Sequence, residues 1–339
     1  MRFRDYIIRR GLQIIPAIIG LSILIFYITR VMPGDPVRLY LGLEATEEQV
    51  QYYRKLFGLD KPLLQQYIDM WANLFLRGSL GLSLYTNRDV LYDILYYLPA
   101  TLELIIISMV FSAIVGSLLG VLCTIYRNKW VDHVLRVIAI SGVSSPRFWT
   151  GLLLQLIVAY YLGLLPMIGR SEIPVTRITG FYLIDSLITG NFAGFVDTIR
   201  HLILPVITLS FSPIAQIMRL VRASILEELN KGYVFTFKAH ALPENLIYFK
   251  YMLRNALIVA ITIIGMLFGF FVYGAFEVEV VFGWPGLGWY TTRVALYKDF
   301  NAIVGSVMTI GIIIVITNYI VDVLYGYLDP RIRIRMEVK

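Results

Sequence analysis

The chain has little of what soluble catalytic proteins use. Only 16% of its 339 residues are charged, against roughly 25% in soluble domains. One cysteine, Cys123, excludes an intramolecular disulfide and leaves too few thiols for a zinc or iron–sulfur site. It falls inside an apolar run and reads as a small core residue. The three histidines, His133, His201 and His240, lie on separate segments and cannot jointly hold a metal. No phosphate loop of the GxxxxGK[ST] kind, no HExxH and no GxSxG occurs. These absences leave no nucleophile–base or metal constellation for an embedded enzyme, and they assign the chain no cofactor.

What the sequence has in abundance is apolar surface: 58% of the residues are hydrophobic, the signature of an integral membrane protein. The net charge of +7 then needs no nucleic acid to explain it, because Lys and Arg concentrate on the cytoplasmic side of membrane proteins. A bilayer core takes about 20 apolar residues in a helix, and six stretches meet that measure, at about 11–31, 100–125, 134–163, 201–221, 254–276 and 302–325. The first begins after the basic MRFRDYIIRR. Its apolar run is longer than a signal core and no small-x-small site comes after it, so it is expected to be an uncleaved span.

Orientation comes from charge. With the N-terminus inside, the inner segments gather an excess of Arg and Lys and the outer ones a slight excess of acids, so both termini are expected in the cytoplasm. The segment 32–99 then lies outside. Thr46 with Glu47 and Glu48 reads as a helix start and Gly58 as its stop. Asp60-Lys61-Pro62 opens a second helix, with Trp71, Leu74 and Phe75 on an apolar stripe. It is expected to be a small helical cap, either structural or a docking surface for an external partner.

Four features stand out within this frame. KGYVFTFKAHALPENLIYFK, 231–250, is a polar island on the inner side, where Val234, Phe237 and Ala241 share one stripe and Thr236 and His240 another. It reads either as a re-entry turn or as a short helix that inserts in a groove of a soluble partner. Arg147 lies inside the third span just after Pro146, where an unpaired Arg costs at least about 2.5–3.5 kcal/mol. It is expected to face a watery translocation path rather than a buried structural pair. Glu103 and Asp322 lie near span ends and read as packing residues, since snorkelling is cheap there. GWPGLG, with Gly283, Trp284, Pro285, Gly286 and Gly288, lies outside between the fifth and sixth spans. It is either a plain turn or a short re-entrant element near a gate.

A family resemblance runs in order along nearly the whole chain. RRGLQIIPAIIGLSILIFYITRVMPGDP (9–36), LPATLELIIIS (98–108), SSPRFWTGLLL (144–154), HLILPVITLS, RLVRASILEEL, LRNAL (253–257), VFGWPGLG and VDVLYGYLDPRIR resemble permease subunits of the dipeptide, oligopeptide and nickel-type ABC importers. These are oligopeptide permease B-like, binding-protein-dependent inner-membrane components. The resemblance implies an all-α integral membrane protein of six transmembrane helices in the type I ABC importer permease fold, with an extracytoplasmic helical insertion between the first two. The expected units are residues 1–31, the cap 32–99, a five-helix core 100–328 with a cytoplasmic coupling loop at 223–250, and a tail 329–339.

The coupling loop of that family resembles DYVRTARAKGL. Here it reads GYVFTFKAHAL, matching at Tyr233, Thr236, Lys238, Ala239 and Leu242. Phe235 and Phe237 replace a basic and a small residue, and Ala241 stands where the family has glycine, so the turn is expected at Leu242-Pro243. With His240, residues 233–242 are expected to dock on an ATPase, with Phe235 and Phe237 as apolar anchors of the contact. The resemblance further implies a second homologous permease, two cytoplasmic ABC ATPases that bind ATP and magnesium, and an external substrate-binding protein, in the cell membrane of a bacterium or archaeon. Peptides are the expected substrate, with oligosaccharides or nickel as the alternatives. An ion-coupled secondary transporter would instead need midplane acids and often inverted repeats, and neither is visible.

Overall fold

The computed structural model describes residues 3–31, 35–42 and 45–328; the tail 329–339 lies outside them. Among the described residues there is no strand, only an isolated bridge between Leu82 and Asp89. Helices α1 (Phe3–Leu12) and α2 (Ile14–Val31) form the first apolar rod. Three cap helices come next: α3 (Pro36–Leu41), α4 (Glu47–Leu56) and α5 (Leu63–Arg77). Each boundary has a chemical cause. Asp35 accepts from the Val37 N–H with Pro36 at the first position of α3. Thr46 and Gln49 form a reciprocal capping box at the start of α4, and Gly78 ends α5 in a left-handed conformation.

Helix α6 (Val90–Ile125) starts on the Asp89 cap and runs unbroken across the 99/100 boundary drawn between cap and core, with Pro99 inside it. Next come α7 (Trp130–Ser144) and α8 (Arg147–Leu154), the latter continuing as a wider turn over Gln155–Tyr161. A long loop carries α9 (Tyr182–Ile188) and leads to α10 (Phe192–Glu228). The next segment holds α11 (Gly232–Ala239) and α12 (Glu244–Leu246), and leads into α13 (Leu253–Val281). A short α14 (Leu287–Leu296) precedes α15 (Phe300–Leu328).

Among the described residues four helical stretches are long and apolar enough to cross a membrane: Arg4–Val31, Val90–Ile125, Phe192–Glu228 and Phe300–Val323. The stretch expected as a straight third span is instead two helices, Trp130–Ser144 and Arg147–Tyr161, bent by 112°. Pro146 explains the break. It lacks an N–H, and it disfavours helix at the residue before it, so Ser145 is extended. Counting this bent pair as one span gives up to five, one short of the six expected.

The core is the contact of α6 with α10 and α13, where Leu104, Leu209, Ile217, Val221 and Phe271 are buried. Gly116 and Gly120 on α6 allow it. A Cβ at Gly116 would lie 2.8 Å from the Ile217 side chain, and one at Gly120 2.9 Å from the Met218 carbonyl oxygen. Small residues four apart let two membrane helices approach at backbone distance.

The loop that carries α9 docks on α6 through charge. Glu103, expected to snorkel near a span end, is instead buried against Arg170, with Nη2 2.6 Å from Oε2. Its other oxygen accepts the Leu183 N–H at 2.9 Å. Arg170 also donates to the Gly180 carbonyl and stacks over Tyr182. The reason is geometric: α6 begins at Val90, well before Glu103, and the loop folds over the carboxylate and leaves it buried. Asp322, by contrast, pairs with Arg10 at 3.2 Å, where both are half-exposed.

A second carboxylate shapes the same loop. Asp185 is buried and accepts from the Thr179 hydroxyl and from the backbone N–H groups of Ile178, Thr179 and Gly180. Burial pushes its carboxyl up, but these hydrogen bonds outweigh burial and hold it below the ordinary value of 3.8. A lowered folded value means the contribution is fully present above the ordinary carboxylate range and lost as pH falls through it. Amide exchange in residues 178–190 should accelerate on acidification below about pH 4 more than exchange in α6 does. Asp185→Asn should flatten that acid limb, and an unchanged acid limb in the variant would refute the assignment.

Candidate functional site

The polar island forms a helix. Gly232–Ala239 is helical after Lys231, with His240 at its C-terminal end. The side chains divide cleanly. Val234 is buried, and Tyr233, Phe237 and Leu242 are half-buried against the core. The Phe237 ring lies 4.5 Å from that of Tyr251 and 5.6 Å from that of Tyr233. The Tyr233 hydroxyl donates to Glu228, which also pairs with Lys231. Phe235, Thr236, Lys238, Ala239, His240 and Ala241 face outward, and Phe235 is 78% exposed. Phe237, expected as the anchor for a partner, therefore seats the helix on its own chain, because its position three after Val234 shares the buried stripe. Of the two phenylalanines expected as anchors, Phe235 is the exposed one.

The turn also differs from expectation. Ala241, not Leu242-Pro243, takes the left-handed conformation, at φ 51°. Its N–H bonds the Lys238 carbonyl, and the Leu242 N–H bonds that of Phe237, the pattern that closes a helix end and normally selects glycine. Ala241→Gly should therefore raise stability by about 1 kcal/mol, read as a higher unfolding midpoint; a lowered midpoint would contradict the strain. Pro243 then opens the next helix, and the backbone is helical from Glu244 to Val281 without a break. Helix α11 is thus joined by a four-residue turn to one long element that crosses the core.

Arg147 is the first residue of α8, directly after the bend at Pro146. Its guanidinium packs over Phe270 at 3.8 Å and near Tyr273 at 5.6 Å. Nη1 is 3.9 Å from Glu277, and the Nε is buried without a hydrogen-bond partner. Gly274 makes the room, since a Cβ there would lie 3.0 Å from Nε. Arg147 is 11% exposed and Glu277 28%, so the pair is a loose charge couple at a surface. Exposed Phe148, Trp149 and Tyr273 lie on the same two helices. Glu277 escaped the sequence reading, although an acid inside the apolar run GAFEVEVV was the available signal.

The turn after α13 is closed and buried. Gly283 is left-handed, at φ 55°. Trp284 is fully buried and donates from Nε1 to the Ala100 carbonyl at 3.0 Å. After Pro285, Gly286 caps α14 and the Leu287 N–H reaches the Thr101 hydroxyl at 2.7 Å. The buried Glu279 carboxylate accepts from the N–H groups of Gly288 and Trp289 at the start of α14, where an anion is favoured. A Cβ at Gly286 would lie 2.4 Å from this carboxylate and one at Gly288 2.7 Å from the Phe276 backbone. The glycines are there because a carboxylate and a helix occupy the space a side chain would need.

No group of three or more His, Cys, Asp and Glu residues suited to a metal exists among the described residues. Comparison with known proteins agrees with the architecture. Residues 116–334 match the model of the binding-protein-dependent transport system inner membrane component, and residues 3–105 that of its N-terminal part. The chain is 38% identical over 336 residues to a probable D,D-dipeptide transport system permease protein of Escherichia coli, covering 98% of each chain. It is 38% identical over 330 residues to a dipeptide transport system permease protein of Alkalihalophilus pseudofirmus, covering 97% of this chain and 99% of the relative. A di/tripeptide transport system permease protein of Pseudomonas aeruginosa is 37% identical over 333 residues, with coverage of 97% and 98%. The chain belongs to the family of inner-membrane components of binding-protein-dependent transport systems.

Proposed function

From that membership we propose that the chain is a permease subunit of an ATP-driven ABC importer, forming the translocation path for di- and oligopeptides with a second, homologous permease. The observation that carries this reading is the near-complete alignment with relatives named for dipeptide and tripeptide transport. In this reading α13, at 29 residues and about 43 Å long, is the remaining span and brings the number to six. Both termini lie in the cytoplasm, and the segment 32–99 faces an external binding protein. Two cytoplasmic ATPases bind ATP and magnesium. One of them takes the exposed face of α11, and its motion passes along Glu244–Val281 into the core.

Arg147 and Glu277 line the path in this scheme. A guanidinium and a carboxylate side by side suit a zwitterionic cargo, since each terminus of a peptide meets its opposite charge. The turn Gly283–Gly288 ties the outer end of α13 to α6 on the gate side. Arg147→Cys in a Cys123→Ala background should react with a membrane-impermeant thiol reagent in at least one transport state. Protection in every state, with transport lost in Arg147→Ala, would make it a buried structural residue.

The decisive experiment is uptake. The chain reconstituted in proteoliposomes with its partner permease, ATPases and binding protein should accumulate labelled dipeptide on addition of ATP, and neither nickel nor oligosaccharide. Uptake of either of those without peptide uptake would overturn the substrate. The chain purified free of partners should not hydrolyse ATP.

A further inference from the structure

The geometry points to a built site for an anionic phospholipid of the phosphatidylglycerol class, where the cap meets the first span, with its phosphate on Arg30 and its acyl chains along α5. Arg30 lies in the last turn of α2. It lines two adjoining cavities of about 280 and 300 Å³. Its guanidinium is sandwiched between the rings of Phe26 and Phe300, each 5.0 Å away. Nε and Nη1 have no hydrogen-bond partner, and among the described residues no carboxylate pairs with it. Unpaired donors on a desolvated cation at the end of a span are costly, and a bound anion removes that cost.

The other groups at the cavities narrow the ligand. Lys61 is held by Asp69 and Arg54 by Asp35, each at 2.6 Å, so those two charges are cancelled. Lys55 lines the first cavity with no ion-pair partner among the described residues and leaves a second free positive charge. Gln66 lines both cavities, and its Oε1 is buried without a donor. The site thus offers cationic N–H groups to a phosphodiester and one acceptor to a hydroxyl. A glycerol headgroup supplies both. A choline headgroup has no donor for Gln66 and brings its own cation beside Arg30 and Lys55.

The depth of α5 supplies the lipid side. Its Tyr67 hydroxyl meets the Ser22 hydroxyl of α2 at 2.7 Å, and its ring packs on Phe26 at 5.3 Å. Ser22 is nine residues before the end of α2, or about 13 Å deeper along the span, while Arg30 lies at the interface where headgroup phosphates are found. One face of α5, with Gln66, Asp69 and Asn73, turns to the cavity. The other exposes Leu64, Ile68, Phe75 and Leu76, at the depth where the neighbouring span exposes Ile19, Ile23 and Tyr27. Helix α5 therefore lies in the outer leaflet beside α2, with its apolar face against acyl chains.

The test is lipid retention by the assembled importer, read by native mass spectrometry after delipidation and titration. Phosphatidylglycerol should bind the wild type at least tenfold more tightly than phosphatidylcholine. Arg30→Gln should lose tenfold or more in that affinity, and Arg30→Lys less. Lys55→Gln, at an exposed position that cannot unfold the chain, should lose about threefold, which is near 0.6 kcal/mol. Where Arg30→Gln fails to assemble, Lys55→Gln and Gln66→Leu carry the test. Equal retention by wild type and variants overturns the site, as does equal affinity for phosphatidylcholine. Competition by free glycerol phosphate at the same concentration overturns the lipid and leaves a soluble-anion site. Lost docking of the binding protein with lipid retention unchanged overturns it in favour of a protein contact.

Discussion

Replacing Arg170 with methionine is expected to destabilise the chain by about 3–5 kcal/mol, because it leaves the Glu103 carboxylate buried without its partner. Both groups are almost fully enclosed, and the guanidinium is held at three further points: the Gly180 carbonyl, the Tyr182 ring and, at 5.4 Å, the Trp284 ring. The loss therefore reaches both the outer loop and the turn after α13. The double variant Glu103→Leu with Arg170→Met should recover more than half of it, since a buried pair replaced by apolar residues of similar volume costs little. Unfolding midpoints in detergent for both single variants and the double would decide. A double variant no better than Arg170→Met would show that the packing of the arginine, not the pairing of charges, holds this loop.

The second large effect is expected at Phe235. Its ring is almost fully exposed on a helix whose other face is seated on the core. An exposed aromatic anchor that enters a partner's groove commonly costs more than 1 kcal/mol when truncated to alanine, and a central one 2 kcal/mol or more. Phe235→Ala should weaken assembly with the ATPase by ten- to thirtyfold, or uncouple hydrolysis from transport, while leaving the unfolding midpoint unchanged. Phe237→Ala should do the reverse. It should lower stability by roughly 2 kcal/mol, less than the 3–5 of a fully buried Phe, because it removes the ring packed at a tilt against Tyr251. A cysteine at Ala239 or His240, in a Cys123→Ala background, should cross-link to the ATPase. No cross-link from any site between 233 and 242 in an active complex would reduce this stretch to a turn.

Much of this architecture was legible because the bilayer imposes it. A chain that must satisfy every backbone group inside lipid has only helices or a closed barrel available, and the apolar runs locate the helices, although α6 and α10 begin at Val90 and Phe192, well before the runs at 100 and 201. The helix start at Thr46 and the stop at Gly58 were equally visible, because the interactions that end a helix are local. The order of short motifs was enough to point to the family.

What the sequence could not supply depends on which surfaces meet. Periodicity placed Phe235 and Phe237 on the same short helix, but only the position of Tyr251, beyond the turn at Ala241, determined which ring is taken up by the chain itself. Pro146 was in view, but the 112° angle between the two helices that meet there was not. Glu103 looked like a residue near water until the outer loop, more than sixty residues later in the chain, covered it with Arg170. In the same way the partners of Arg147 are distant in sequence, Phe270, Tyr273 and Glu277, and are brought within reach because Gly274 leaves space for a guanidinium. Hydropathy and helix caps are properties of neighbouring residues and survive in the sequence alone. The partner of a buried charge or ring is a property of two surfaces in contact, and only the packing of α6, α10 and α13 decides it.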